Sequence, residues 1–382
     1  MNEQAKNEAI KVLGHCARSM GFFASGLPGG YEAVWARDSM ITSLGASLIG
    51  EKFKDTFKKS IETLRNNQSA LGQIPNAVGS YNDDRQSDVT FNSIDSSLWY
   101  LVGQHAYRTA YKDNSVLNES QESIEKAMLW LRYQDPNEDK LLAQQPTMDW
   151  QDAFPHKYGH VINAQALHYT ILKMHGHDEP AEHIKKVVNG EIERYLMMYD
   201  EKRGYYLPWN WKNHDGDREQ EEWFDALGNL LAIVCGLATP EIAGNILDYI
   251  EREAVNRPFP CRTMHPALKK GDKEWRSYFE KCDAREPYSY LNSGVWPFIG
   301  GFYIAALVKA GKIDKAKEEL DKLTDAVKTG QKMEWEFNEW LHGQTGKPGE
   351  NSAPYQGWTA GMYLFAYECV ERGEVPYFTF QN

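Results

Sequence analysis

Cysteine is scarce: five residues, at positions 16, 235, 261, 282 and 369 of 382. The number is odd and no two have CxxC spacing, which excludes a disulfide framework and a zinc knuckle and reads as reduced thiols in a cytoplasmic protein. A long apolar run is missing too. The most apolar stretch, 291–308, is broken by Pro297 and several glycines, a poor membrane span, and Met1–Lys6 opens without an apolar signal region. Positive charge is in short supply, with 42 Lys and Arg against 54 Asp and Glu and a net charge of -12. Phosphate binding needs a basic face, so nucleic acid is excluded as an expected partner. No Gly-rich phosphate loop and no Ser/His/Asp elbow is present. His156, His160 and His168 have near-helical spacing without a carboxylate–histidine motif, so neither a metal nor a cofactor is expected.

Aromatics, by contrast, are plentiful: 12 Trp and 21 Tyr within an aromatic share of 13%. Trp and Tyr pair an apolar face with a polar edge, which suits stacking against sugar rings, although a large helical core also uses them as filler. A neutral small carbohydrate is the partner this composition favours. Self-association is left open.

Charge alternates along the chain. Residues 2–20, 51–66, 119–134, 179–199, 240–255 and 313–328 read as one-sided, charged helices; Phe53, Phe57, Ile61 and Leu64, for example, make a single stripe. Between them, 39–50, 94–102, 159–172, 225–237, 293–308 and 354–367 are uncharged or nearly so. Helices apolar on every face belong inside, and one-sided helices belong outside. Strict alternation predicts an all-α fold, an (α/α)6 barrel with six inner and six outer helices. A turn through Gly26, Gly29 and Gly30 precedes the first inner helix, and a loop through Asn82–Arg85 precedes the second. The outer-to-inner connections are long, about 67–92, 135–157, 200–224, 256–291 and 330–352, and all fall at the N-terminal ends of inner helices. Loops of this length are usually functional, and here they would build a pocket over the ring's mouth. A superhelical array also alternates helices, but no fixed period is present and the loops are too unequal. With no linker or composition break, residues 1–382 read as one domain.

Each inner helix opens with polar or aromatic residues: Trp35, Arg37 and Asp38; Asp95; Asp149 and Trp150 with Gln165; Asp225 and Asn229; Asn292 and Trp296; Tyr355, Gln356 and Trp358. Singly each could be a cap, above all Asp95 and Asp225. Together they make a ring of hydrogen-bonding groups and aromatic walls fit to hold a monosaccharide. Glycoside hydrolysis needs one protonated and one ionised carboxylate. Asp149, beside Trp150, is the candidate general acid, with Asp152 as its rival. Glu339, flanked by Phe337 and Trp340, is the candidate base, with Glu334, Glu336 and Glu350 as rivals. The third and sixth inner helices face each other across a six-membered ring, which favours a separated, water-admitting pair.

These residues resemble a known family. Asp225–Pro240 (DALGNLLAIVCGLATP) resembles the LGNL…LATP segment of the neutral/alkaline invertases, and Tyr288–Pro297 (YSYLNSGVWP) is similar to their WSYHNGGSWP segment. Tyr31–Asp38 and Ile94–Trp99 also look like family positions. The resemblance implies an inverting (α/α)6 hydrolase without a cofactor. It places the general acid at Met148–Asp149, matching the family's MID motif, and the base at Glu339, matching WPEYYD…TG. Asp149 is followed by Trp-Gln-Asp where the family has basic residues. Gly72–Asn76 (GQIPN) and Phe91–Asp95 (FNSID) instead look like the glucosidase domain of glycogen-debranching enzymes. The expected substrate is a small α-linked sugar, sucrose first, with an α-glucoside oligosaccharide as the alternative. A sugar epimerase using His156, His160 and His265, or a binding protein without turnover, would be a different class.

Overall fold

The computed structural model describes residues 2–28, 30–80, 87–192, 197–214 and 217–380. Gly29 and the Asn82–Arg85 loop lie outside the described residues.

Among the described residues, twelve helices of at least nine residues alternate outward and inward: α1 Glu3–Cys16, α2 Ala36–Ala46, α3 Lys54–Asn66, α4 Asp95–Tyr111, α5 Gln121–Arg132, α6 Ile162–Met174, α7 Asp178–Val188, α8 Ala226–Val234, α9 Pro240–Arg252, α10 Pro297–Lys309, α11 Ile313–Lys328 and α12 Gly357–Arg372. A single turn, Ser115–Glu119, leads into α5. The even-numbered helices are the inner ring. Each packs on its even neighbours, and α12 closes the circle against α2. All residues of α2 and α8 are buried, whereas in α3 only Phe57, Ser60, Ile61 and Leu64 are. This is the expected (α/α)6 barrel. The ring closes where glycine lets two backbones touch. A Cβ built on Gly45 would meet the Gly361 carbonyl at 1.8 Å, and one on Gly361 would meet the Thr42 carbonyl at 2.5 Å.

The bore is filled with rings rather than open. Trp99 of α4 packs on Phe302 of α10 at 6.0 Å, and Phe298, one turn nearer the mouth, stacks on Trp358 of α12 at 4.2 Å. Above them Trp150 meets Phe298 at 5.5 Å and Trp296 at 5.6 Å. This aromatic column closes the bore, so the mouth has a floor.

Two features depart from the sequence reading. Small antiparallel sheets gird the mouth: Val34–Trp35 with Ala77–Val78 and Val89–Thr90, His160–Val161 with Trp209–His214, and Phe224–Asp225 with Met264–His265. Long loops that run together need partners for their backbone groups, and short ladders supply them. The helix expected over 179–199 ends at Val188, where Gly190 takes a φ of +82°; glycine adopts that conformation without the Cβ cost that stops a helix.

Candidate active site

The first inner helix brings a charge pair to the mouth. Trp35 is the N-cap of α2 and pairs with Ala77. One turn in, Arg37 donates from Nη1 to both oxygens of Asp95, at 3.0 and 3.1 Å, and Ser93 donates to the same carboxylate at 2.6 Å. Asp95 is fully buried and makes this ion pair instead of a cap. Asp38, beside Arg37, is pushed up to about 6, chiefly by burial, with the Arg37 charge opposing.

The segment before α6 separates two aspartates that the sequence could not. Asp149 is fully buried. Its Oδ2 pairs with Lys157 Nζ at 2.9 Å and accepts from Gln144 Nε2 at 3.2 Å, while Oδ1 accepts the Gln151 N–H at 2.9 Å. Lys157, itself without exposure, also donates to Gln151 Oε1 at 2.6 Å and reaches Asp225 Oδ2 at 3.5 Å. A carboxylate so committed ties its own loop to Lys157 and to Gln144. Asp152 is the opposite case. It keeps exposure to solvent, with protein crowded around the rest of it. That surrounding protein raises its pKa to about 6; Arg37 works against the rise, and Asp149 and Asp95 add to it.

Glu339 faces it from the loop before α12. It is buried, with its backbone N–H on the Ala353 carbonyl at 2.9 Å. Burial, then the charges of Asp38 and Asp152, push it up to about 8. Tyr31 and Tyr290 share its field. The rivals are used elsewhere. Glu336 accepts three backbone N–H groups, from Gln331, Lys332 and Met333, at 2.6–3.1 Å; burial alone would raise it, but these donors hold it below the usual carboxylate range. Glu334 pairs with Lys328 at 3.5 Å, and Glu350 is exposed on the rim. The loops around this site carry left-handed non-glycine residues, including Thr147, Tyr290, Ser293, Trp335, Phe337 and Tyr355, and such backbone concentrates at functional sites.

Three residues expected to touch a sugar are occupied by the chain itself. Gln165 clamps the Leu142 peptide, accepting its N–H at 3.1 Å and donating to its carbonyl at 2.7 Å. Asn229 does the same to Tyr206 at 2.9 and 3.0 Å, and Asn292 to Leu268 at 2.8 and 2.9 Å. Each amide stands near the start of an inner helix and satisfies the peptide of a loop that crosses it. Asp225 is the N-cap of α8. The tryptophans form the floor: Trp296 donates to the Tyr290 carbonyl at 3.0 Å, while the indole N–H groups of Trp150 and Trp358 have no protein partner. Tyr355, half-buried, reaches Met333 Sδ at 3.8 Å. The histidines disperse: His156 bonds Tyr278, His265 bonds Tyr249, each at 2.9 Å, and His160 packs on Trp211. Tyr31 and Tyr290 lie inside segments singled out by their resemblance to the family, but nothing in the sequence marked them as site residues, and Lys157 had no signal beyond its proximity to Asp149 and Asp152.

Comparison with known proteins fits this geometry. Residues 12–203 match the amylo-α-1,6-glucosidase family model, and residues 173–373 match the model of alkaline and neutral invertase. Among curated proteins, the probable alkaline/neutral invertase D of Arabidopsis thaliana is 35% identical over 191 residues, 48% of this chain and 33% of that protein. Cytosolic invertase 1 of Oryza sativa subsp. japonica is 33% identical over 153 residues, 39% of this chain and 26% of that protein. The aligned part thus spans about a third or less of those relatives. A GH63 mannosylglycerate hydrolase from Thermus thermophilus superposes with a TM-score of 0.69 at 12% identity, over 94% of this chain and 99% of that one. A glycosidase in complex with glucose gives 0.65 at 15% identity, over 97% and 96%. These two share the barrel. With just over half of its length matched by the invertase model, and an N-terminal half that also fits the glucosidase model, the chain belongs to the alkaline and neutral invertase family.

Proposed function

We propose that this protein is an inverting glycoside hydrolase acting on an α-linked sugar, with Asp152 as general acid and Glu339 as general base. One observation carries the reading: two carboxylates, set in front of opposite inner helices, meet at one mouth and both hold their protons above the usual carboxylate range. Asp152 gives its proton to the bridging oxygen as the glycosidic C–O bond breaks and its electron pair passes to that oxygen. Glu339 takes a proton from the water that attacks the anomeric carbon from the other face. Arg37, Asp38 and the indole N–H groups of Trp150 and Trp358 bind the hydroxyls of the sugar in the mouth. Asp149 is the anchor of the acid's loop.

The invertase relatives support sucrose as substrate. A second reading, an α-glucoside oligosaccharide, is supported by a specific fact: the acid's loop lies in the half of the chain that matches the glucosidase model. The test is incubation with sucrose, trehalose, isomaltose and maltooligosaccharides, with release followed by NMR. Asp152→Asn and Glu339→Gln should each lower turnover at least about a hundredfold, the lower range for acid–base catalysis. A folded amide variant with near-normal turnover would remove that residue from the chemistry. Wild-type protein that cleaves none of these sugars would remove the function.

A further inference from the structure

A row of rings flanks the acid, and the hydrolysis described above does not use it. Tyr278 is 41% exposed, although most large rings of this chain are buried. Its hydroxyl is bonded to His156 Nδ1 at 2.9 Å, with the ring centroids 6.0 Å apart. His156 meets Tyr158 at 5.8 Å, and Tyr158 overlies Trp209 at 4.5 Å with 35° between planes. The row is braced from behind. Tyr158 bonds Glu219, and buried Glu221 accepts from the indoles of Trp209 at 3.2 Å and Trp223 at 2.5 Å. Phe279, next to Tyr278, is anchored on Phe154 at 4.5 Å. A tyrosine held this firmly and still facing water is not core filler.

Its place decides what it is for. The rings come from the loops before α6, α8 and α10, so they stand on the mouth face. His156 follows Asp152 by four residues, a reach of at most about 14 Å. A general acid protonates the bridging oxygen, so the leaving group departs on the acid's side. We propose that the row Tyr278–His156–Tyr158, backed by buried Trp209, is a leaving-group subsite for the second and further rings of a neutral α-linked oligosaccharide. Aromatic faces take up the C–H faces of sugar rings. Three accessible rings in series exceed what a single departing hexose covers. The inference rests on the hydrolase reading and deepens it, favouring oligosaccharide over sucrose.

The experiment measures kcat/KM for maltose, maltotriose and maltotetraose, the isomalto series and sucrose, with wild-type enzyme and with Tyr278→Ala and Tyr278→Phe. In wild type, one α-linked series should gain about fivefold or more from disaccharide to trisaccharide, the scale of one stacked ring. Tyr278→Ala should bring that ratio toward one, and Tyr278→Phe should keep most of it. Thermal unfolding of each variant separates loss of the subsite from loss of the fold, and Trp209→Phe gives a second reading of the same ratio should Tyr278→Ala not fold. Oligosaccharides cleaved with no gain in length, or a Tyr278→Ala that lowers di- and trisaccharide equally, would overturn the subsite and leave the hydrolase standing. No cleavage of any sugar would overturn both.

Discussion

Asp152, Glu339 and Asp38 crowd three carboxylates beside Arg37, which is already paired with Asp95. Like charges this close lose their protons in successive steps, one near 6 and one near 8. In the proposed reaction the productive state has one proton on Asp152 and none on Glu339. Activity should therefore rise as pH passes about 6, when the first proton of the pair leaves, and fall as pH passes about 8, when the last one leaves. Asp38→Asn removes a charge that holds Glu339 up, so the alkaline limb of kcat/KM against pH should move down. An alkaline limb unmoved in Asp38→Asn would show that Asp38 does not act on the pair. The burial of Glu339 was legible from its aromatic neighbours. The different surroundings of Asp149 and Asp152 were not, because the fold alone buries Lys157 against Asp149. Lys157→Met leaves Asp149 and Asp225 buried without their cation, at a cost of about 3–5 kcal/mol. Denaturant unfolding would read it, and a loss under about 1 kcal/mol would mean the ion pair anchors nothing.

Elements were more legible than residues, because burial leaves its mark on charge. The uncharged spans became the inner helices and the striped spans the outer ones, with ends displaced by a few residues. The 179–199 span failed because a glycine at 190 ends the helix, which periodicity alone does not register. Gln165, Asn229 and Asn292 looked like ligand groups because a polar residue in a buried helix demands a reason. The reason is a peptide in another loop, which no local pattern reveals. Glycines divide by the same logic. Gly361→Ala pushes a methyl to 2.5 Å from the Thr42 carbonyl and should cost about 1–3 kcal/mol through separation of α2 and α12. Gly244, inside outer helix α9, has nothing within 4 Å of a built Cβ, so Gly244→Ala should stabilise by about 0.5–1 kcal/mol. Urea midpoints compare the two, and equal shifts would mean that close packing at the ring's seam is not what holds it.

At the scale of the molecule, the ring sets the stereochemistry. Six inner helices in sequence put the loop before α6 opposite the loop before α12. On the proposed reading Asp152 and Glu339 therefore approach a bound sugar from two sides, with the mouth between them. A nucleophilic pair needs carboxylates about 5–5.5 Å apart on one bond, whereas about 6.5–9.5 Å leaves room for a water molecule. Opposite placement favours the second geometry, and an anomeric carbon attacked by water from the face away from the leaving oxygen changes configuration. An α-linked glucoside should then release β-glucose first. NMR in the first minutes, before mutarotation mixes the anomers, reads this directly. α-Glucose as the first product would mean a covalent glycosyl intermediate and would require a carboxylate much closer to the bond than either side of this ring places one.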